Sequence, residues 1–193
     1  MKLIFATNNT NKIAEIKSAI VNGLEIVTLA DAGMKIDIPE PYNTLEENAR
    51  EKATVINNIT NENCFSEDTG LEVAALNNEP GVRSARYAGE EANNKKNIAL
   101  LLKNLTKITD RHAQFKTVIC LLINKEEYFF IGICKGKIID EERGEMGFGY
   151  DAVFIPEGDN KTFAEMTIEQ KNKYSHRKKA LLKLTDFLNI YNG

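Results

Sequence analysis

The chain has 193 residues, is 42% hydrophobic and carries a formal net charge of −3. That suits one domain spanning residues 1–193 with a real core, and it gives the molecule as a whole no pull on nucleic acid. No apolar run approaches the roughly 20 residues that cross a bilayer, and the N-terminus turns polar too soon for a signal peptide.

Three separated cysteines, Cys64, Cys120 and Cys134, form no CxxC pair. They read as buried thiols in a reducing compartment, so a cytoplasmic protein is expected, with neither a membrane nor a nucleic acid as partner.

In chain order, residues 3–6 read as a short buried strand. The polar run Thr7-Asn8-Asn9-Thr10-Asn11 then supplies N-cap candidates for a helix marked by Ile13, Ile16 and Ile20 and closed by Gly23. Strand, polar loop and helix N-terminus is a layout that binds phosphate, because unpaired amides and the helix dipole favour an anion there. Neither the P-loop nor the dinucleotide fingerprint is present. Lys12 is out of place: a cation in a first helical turn opposes the dipole at a cost of about 0.3–1 kcal/mol, and a bound phosphate reverses that sign.

Residues 25–29 read as a second strand and 31–42 as a loop containing Glu40. Thr44 with Glu47 is a capping box for a helix marked by Leu45, Ala49, Ala53, Ile56 and Ile59 and bearing Lys52, while residues 57–63 read by composition as an Asn-rich connector. The stretch Cys64-Phe65-Ser66-Glu67-Asp68-Thr69-Gly70-Leu71 sets two acids between an apolar start and a glycine turn, followed by weak strand alternation over residues 71–76. Residues 77–81 are a second turn. Ile98, Leu101, Leu102 and Leu105 mark an amphipathic helix. Residues 114–123 and 127–136 read as a hairpin through Asn124-Lys125, residues 144–151 as a Gly-rich aromatic loop, and 153–155 as a short strand. Residues 167–173 are briefly helical, and Ser175 caps a final helix. Interleaved strands and helices with a hairpin predict an α/β fold with a mixed central sheet flanked by helices.

Three clusters carry chemistry. Ser175-His176-Arg177-Lys178-Lys179 puts cations where a helix start favours acids. This suits a polyphosphate, with Arg177 as a bidentate fork and Lys171 close by in sequence; the plain alternative is a solvated basic helix end. Gly147-Phe148-Gly149-Tyr150-Asp151 can present a ring face to a planar ligand, or be a tight turn with one core aromatic. Asp68, Glu67 and, at a distance, Glu40 suit a magnesium–phosphate complex, since Mg²⁺ takes one or two carboxylates plus phosphate oxygens. A carboxylate beside that metal can also deprotonate water; the alternative is a polar hairpin with solvated charges. Together the clusters point to a nucleoside triphosphate, without saying which phosphoanhydride bond breaks. A nucleotide-binding regulator without turnover and a phosphatase releasing single phosphates stay open at this point.

Six motifs narrow the choice: Thr7-Asn8-Asn9-Thr10-Asn11-Lys12, Thr44-Leu45-Glu46-Glu47-Asn48-Ala49, Ser66-Glu67-Asp68-Thr69-Gly70-Leu71, Pro80-Gly81-Val82-Arg83-Ser84-Ala85-Arg86-Tyr87, Gly147-Phe148-Gly149-Tyr150-Asp151 and Ser175-His176-Arg177. In this order, over nearly the whole chain, the set resembles the inosine/xanthosine triphosphate pyrophosphatase family. The resemblance implies hydrolysis of ITP, dITP and XTP to the monophosphate and pyrophosphate, Mg²⁺ dependence, two lobes with a cleft between them, and a homodimer.

Position by position, the resemblance implies Asp68 as proton acceptor and metal ligand and Glu40 as the second metal-site acid. It implies Thr7, Asn8, Asn9, Thr10, Asn11 and Lys12 around the triphosphate, with Lys52 and Lys171 nearby. Phe148, Gly149, Tyr150, Asp151, His176 and Arg177 fall to the base and Thr69 to the substrate. His176 and Arg177 thus have two readings, phosphate by charge and base by resemblance. The chain departs from the family where Pro39-Glu40 replaces a frequent pair of acids, where Glu67 and Thr69 replace commoner Asp and Ser, and where Ala152 replaces a frequent Pro.

Overall fold

The computed structural model describes residues 1–20 and 24–191. The helix stop read at Gly23 lies outside the described residues. In chain order the elements are β1 (Lys2–Phe5), α1 (Thr10–Ala19), β2 (Glu25–Thr28), α2 (Leu45–Thr60), β3 (Cys64–Val73), β4 (Pro80–Gly81), α3 (Asn94–Asn104), β5 (His112–Ile123), β6 (Glu126–Ile138), β7 (Phe154–Pro156), α4 (Ile168–Lys171) and α5 (His176–Ile190). Among the described residues the strands are hydrogen-bonded in the order β2-β1-β3-β5-β6-β7, with β4 beside β3. β1 is parallel to β2 and β3, whereas β3–β4 and β6–β7 are antiparallel, so the sheet is mixed as expected.

The chain divides into two compact units. The first comprises Met1–Asp68, Thr117–Gly132 and Arg177–Gly193. Its β1 reads Leu3-Ile4-Phe5, buried throughout, the near-continuous apolar run of a strand with parallel neighbours on both sides. Phe5 stacks on Phe65 with ring centroids 4.5 Å apart. Ile16 of α1 and Ala180, Leu181 and Leu184 of α5 complete this core. α1 starts where Asn9 accepts the Lys12 N–H at 3.1 Å, and α2 starts where Thr44 accepts the Glu47 N–H at 3.2 Å, as the cap residues foretold.

The second unit comprises Thr69–Lys116 and Ile133–His176. Leu71, Val73, Leu101, Phe115, Phe154 and Phe163 centre its core. The turn between β5 and β6 is Asn124-Lys125, both at positive φ, which matches the twist of a two-residue hairpin. All three cysteines are buried and free, and burial pushes the Cys64 and Cys120 thiols up to about 12, away from reactivity. No helix among the described residues is long and apolar enough to cross a membrane.

Three local expectations are corrected. α2 runs on through residues 57–60, because Ile56 is buried and holds the helix to the core; the chain turns only at Asn61, in the left-handed region at φ 55°. Residues Ala74–Leu76 are a 3₁₀ turn rather than strand. Gly70 makes no turn either, since β3 passes straight through it. Its missing side chain serves close packing: a Cβ there would collide with the Gly81 carbonyl of β4. Gly70→Ala therefore forces the β3–β4 pair apart and should destabilise the protein by about 1–3 kcal/mol, the usual cost of overpacking. The midpoint of urea unfolding measures this, and an unchanged midpoint would refute the packing role.

Candidate active site

Within the first unit, three elements converge on one buried guanidinium. Arg177, at the start of α5, is 1% exposed. Its Nε donates to Glu67 Oε2 of β3 at 2.7 Å, and its Nη1 donates to Glu15 Oε2 of α1. Glu67 Oε1 lies 3.3 Å from Lys12 Nζ, so the ion chain runs Glu15, Arg177, Glu67, Lys12. Burial works against charge on Glu67, but Arg177, Lys12 and Lys52 outweigh it and hold its carboxyl below the ordinary value. Burial likewise opposes charge on Arg177, and the two carboxylates more than restore it. The Lys12 misfit noted in the sequence is thus offset within the protein by Glu67.

The next residue along β3, Asp68, faces a second group. Its Oδ1 lies 3.5 Å from Lys52 Nζ, and the same ammonium is bonded to Glu40 Oε1. Burial works against charge on Lys52, but Asp68 and Glu40 outweigh it and raise its pKa. Asn48 Nδ2 lies 3.5 Å from Asp68 Oδ2. No group of three His, Cys, Asp or Glu side chains forms a metal cage among the described residues. The donor chemistry still fits magnesium: two carboxylates already share one cationic group, and Mg²⁺ needs one or two such ligands when waters and phosphate oxygens complete its shell. Glu40 and Asp68 would hold the ion.

The β1–α1 loop leads into the helix that carries Lys12 and Glu15. Thr7 Oγ1 accepts the Asn9 N–H at 3.2 Å, and Asn8 Nδ2 donates to the Ile36 carbonyl at 2.6 Å. Asn8, Asn9, Thr10 and Asn11 are exposed, which leaves the start of α1 open to an anion.

The second unit contains a separate polar group. Asp151 Oδ2 accepts from Lys171 Nζ at 2.6 Å and from the Phe148 N–H at 2.9 Å. Lys171 Nζ also lies 5.4 Å from the Phe148 ring centroid and 4.9 Å from that of Phe163. The Tyr150 hydroxyl donates to the Ser84 carbonyl at 2.9 Å, and its ring is buried in the core. His176 stacks on Phe115 with centroids 4.8 Å apart. Gly149, at φ +62°, lets the loop turn between the two aromatics. Thr69 is half-buried on β3.

Of the residues singled out in the sequence, Lys12, Glu40, Lys52, Asp68 and Arg177 are gathered in the first unit, with Thr7 to Asn11 on the adjoining loop. Thr69, Phe148 to Asp151, Lys171 and His176 belong to the second. Lys171 is therefore engaged by Asp151 and aromatic rings within its own unit. The basic run at the head of α5 does not act as one patch: Arg177 reaches Glu15 and Glu67, whereas His176 packs on Phe115. Sequence reasoning missed Glu15 and Asn48. Glu15 carries no motif signal; Asn48 sits inside the Thr44 to Ala49 motif, which pointed to it without a role.

Residues 3–187 match the family model of the Ham1 family. The dITP/XTP pyrophosphatase of Flavobacterium psychrophilum is 50% identical over 187 residues, covering 97% of this chain and 98% of that protein. The dITP/XTP pyrophosphatase of Porphyromonas gingivalis is 49% identical over 188 residues, covering 97% of each. Among solved structures, a HAM1 protein from Coxiella burnetii superposes with a TM-score of 0.89 at 34% identity, covering 99% of this chain and 100% of that one. The Staphylococcus aureus Ham1 protein gives 0.87 at 38% identity, covering 98% of both chains.

Arg177→Met removes the cation shared by two buried carboxylates and should cost about 3–5 kcal/mol at neutral pH. Because the folded-state pKa of Glu67 lies below its ordinary 4.5, its contribution is full above that value and is lost as pH falls through the lower, folded-state one. In the variant Glu67 can take up a proton instead, so the stability gap to wild type should narrow as pH drops below 4.5. Urea midpoints across that range test this; a gap independent of pH removes Glu67 as the partner.

Proposed function

This chain belongs to the Ham1 family, and from that premise we propose that it is a nucleoside triphosphate pyrophosphatase that hydrolyses non-standard purine nucleoside triphosphates (ITP, dITP, XTP) to the monophosphate and pyrophosphate. Its relatives named dITP/XTP pyrophosphatase, 50% and 49% identical over nearly the full length, support the substrate class. The observation that carries the chemistry is the sharing of one ammonium, Lys52, by Asp68 and Glu40, with the Lys12 ion chain beginning one residue away at Glu67.

Asp68 accepts the proton of the attacking water, which adds to the α-phosphorus as the bond to the bridging oxygen of the β-phosphate breaks; that oxygen leaves with pyrophosphate. Mg²⁺, held by Glu40 and Asp68, would supply charge neutralisation at the phosphate oxygens. Lys12 and Lys52 turn from their carboxylates toward the phosphates, with Thr7 to Asn11 and the amides at the start of α1 binding the chain of phosphates. Arg177 acts through Glu67, since two carboxylates occupy its guanidinium.

Phe148, Gly149, Asp151 and His176 take the base, Lys171 stays with the triphosphate as the resemblance implies, and Thr69 takes the substrate. Tyr150 keeps its place by holding the loop to Ser84. Donors facing a 6-oxo group would lose their partner against adenine, and a site built to hydrogen-bond one group rejects its analogue by orders of magnitude. The family resemblance also carries Mg²⁺ dependence and a homodimer into this proposal, and the three separated thiols carry a cytoplasmic location.

Incubation of the protein with Mg²⁺ and ITP should release one pyrophosphate per IMP, with ATP turned over far more slowly. Orthophosphate as the product, or no product, refutes the reading. Asp68→Asn should fold normally by circular dichroism and lose activity by at least about 100-fold, the lower end for loss of a general base; near-normal turnover removes Asp68 from its role.

A further inference from the structure

We infer that Asn48 is the positioning residue for the metal-binding carboxylates: its amide fastens both Asp68 and the segment bearing Glu40 to the first turn of α2. This rests on the assignment of Asp68 and Glu40 in the preceding subsection and deepens it. Asn48 is 1% exposed. Its Oδ1 accepts the Tyr42 N–H at 3.0 Å, and its Nδ2 donates to the Tyr42 carbonyl at 3.2 Å and to Asp68 Oδ2 at 3.5 Å.

Both amide hydrogens and one carbonyl lone pair are thereby used. The amide orientation is dictated by these partners, since a flipped amide would set oxygen against the Asp68 carboxylate and NH₂ against the Tyr42 N–H. Against Tyr42, Asn48 does what a neighbouring strand would do, bonding both backbone groups of one residue. That matters because residues 34–44 carry no helix or strand. Side-chain tethers therefore set where Glu40 stands, two residues before Tyr42.

The two halves of the contact act on one geometry. Asn48 holds Asp68 Oδ2, and Asp68 Oδ1 faces Lys52, to which Glu40 is also bonded. One oxygen of Asp68 faces the Asn48 amide while the other faces the cation that Glu40 shares. Mg²⁺ demands near-ideal geometry, so the separation of these carboxylates has little tolerance. Glu40 has a long side chain on irregular backbone and cannot fix that separation alone. Replacing an outer partner of this kind typically costs 10–100-fold in metal affinity or activity.

The test is Asn48→Leu, which keeps the branched shape of the side chain and removes all three hydrogen bonds. Pyrophosphate release from ITP is followed across a Mg²⁺ titration, and Mn²⁺ binding to the protein alone is read from the free-ion electron paramagnetic resonance signal. The Mg²⁺ activation constant should rise by about 10-fold or more and Mn²⁺ affinity should fall in parallel, while KM for ITP at saturating Mg²⁺ changes far less. In a Glu40→Gln background the same replacement should have less effect, because one of the two carboxylates it positions has lost its charge.

If the leucine variant does not fold, Asn48→Ser, whose hydroxyl is too short to span both partners, is read by the same measurements. Wild-type metal activation and Mn²⁺ binding in either folded variant, or full additivity with Glu40→Gln, overturns the inference. Wild-type protein that releases no pyrophosphate overturns the pyrophosphatase reading instead, so the two failures are distinguishable.

Discussion

A guanidinium almost completely removed from water needs a reason. Arg177 sits between Glu15 and Glu67 with 1% of its surface exposed. Moving such ions into the interior costs several kcal/mol each, and their mutual attraction recovers this only with good hydrogen-bonding geometry. Apolar side chains of similar volume would serve stability as well. What the ions achieve is placement. The planar fork bonds two carboxylates in fixed directions, tying α1, β3 and α5 together at one point. Glu67 is thereby locked, Lys12 is drawn to its other oxygen, and Asp68 is aimed from the next position of the same strand.

Much of this could be read in the chain and some could not, for identifiable reasons. The misfit of Lys12 was legible because a cation at a helix start needs an anion, but the anion expected there was a phosphate, and the one the fold supplies is the Glu67 carboxylate. The caps at Asn9 and Thr44 and the hairpin at Asn124-Lys125 were legible because local backbone chemistry decides them. Gly70 was misread because glycine signals both turning and close approach, and only the position of Gly81, eleven residues on, tells which applies. Residues 57–60 were misread because the buried Ile56 face outweighs a composition that favours a loop. His176 and Arg177 looked like one basic patch, yet successive side chains of a helix point about 100° apart, and burial sends the imidazole and the guanidinium to different partners. Glu15 and Asn48 were invisible as partners because their contacts lie 162 and 20 residues away in sequence.

The second unit applies the same principle to a neutral surface. A Cβ at Gly147, at φ +77°, would run into the Asp151 carboxylate, so the loop closes tightly around that acid. Asp151 receives both the Phe148 N–H and the Lys171 ammonium, and Lys171 in turn lies near the Phe148 and Phe163 rings. A buried ion pair, supported by cation–π contact, thus sets the pose of Phe148, while Tyr150 is moored to the Ser84 carbonyl. The aromatic run seen in the sequence divides into one ring that anchors, Tyr150, and one that is left half-buried, Phe148.

The charges of the first-unit group also bear on how a triphosphate could be received. Four carboxylates, Glu15, Glu40, Glu67 and Asp68, stand against three cations, Lys12, Lys52 and Arg177. Each lysine is already paired, so a bare polyanion would have to displace carboxylates that then lack a counter-charge, in surroundings too dry to screen them. On the proposed reading, a polyanion arriving with a divalent cation would meet no such obstacle, because Glu40 and Asp68, released by Lys52, would gain the metal as their new partner. On the proposed reading, the coupling of nucleotide and metal follows from this pairing, and Lys52 is the ammonium that keeps the place of the metal between turnovers.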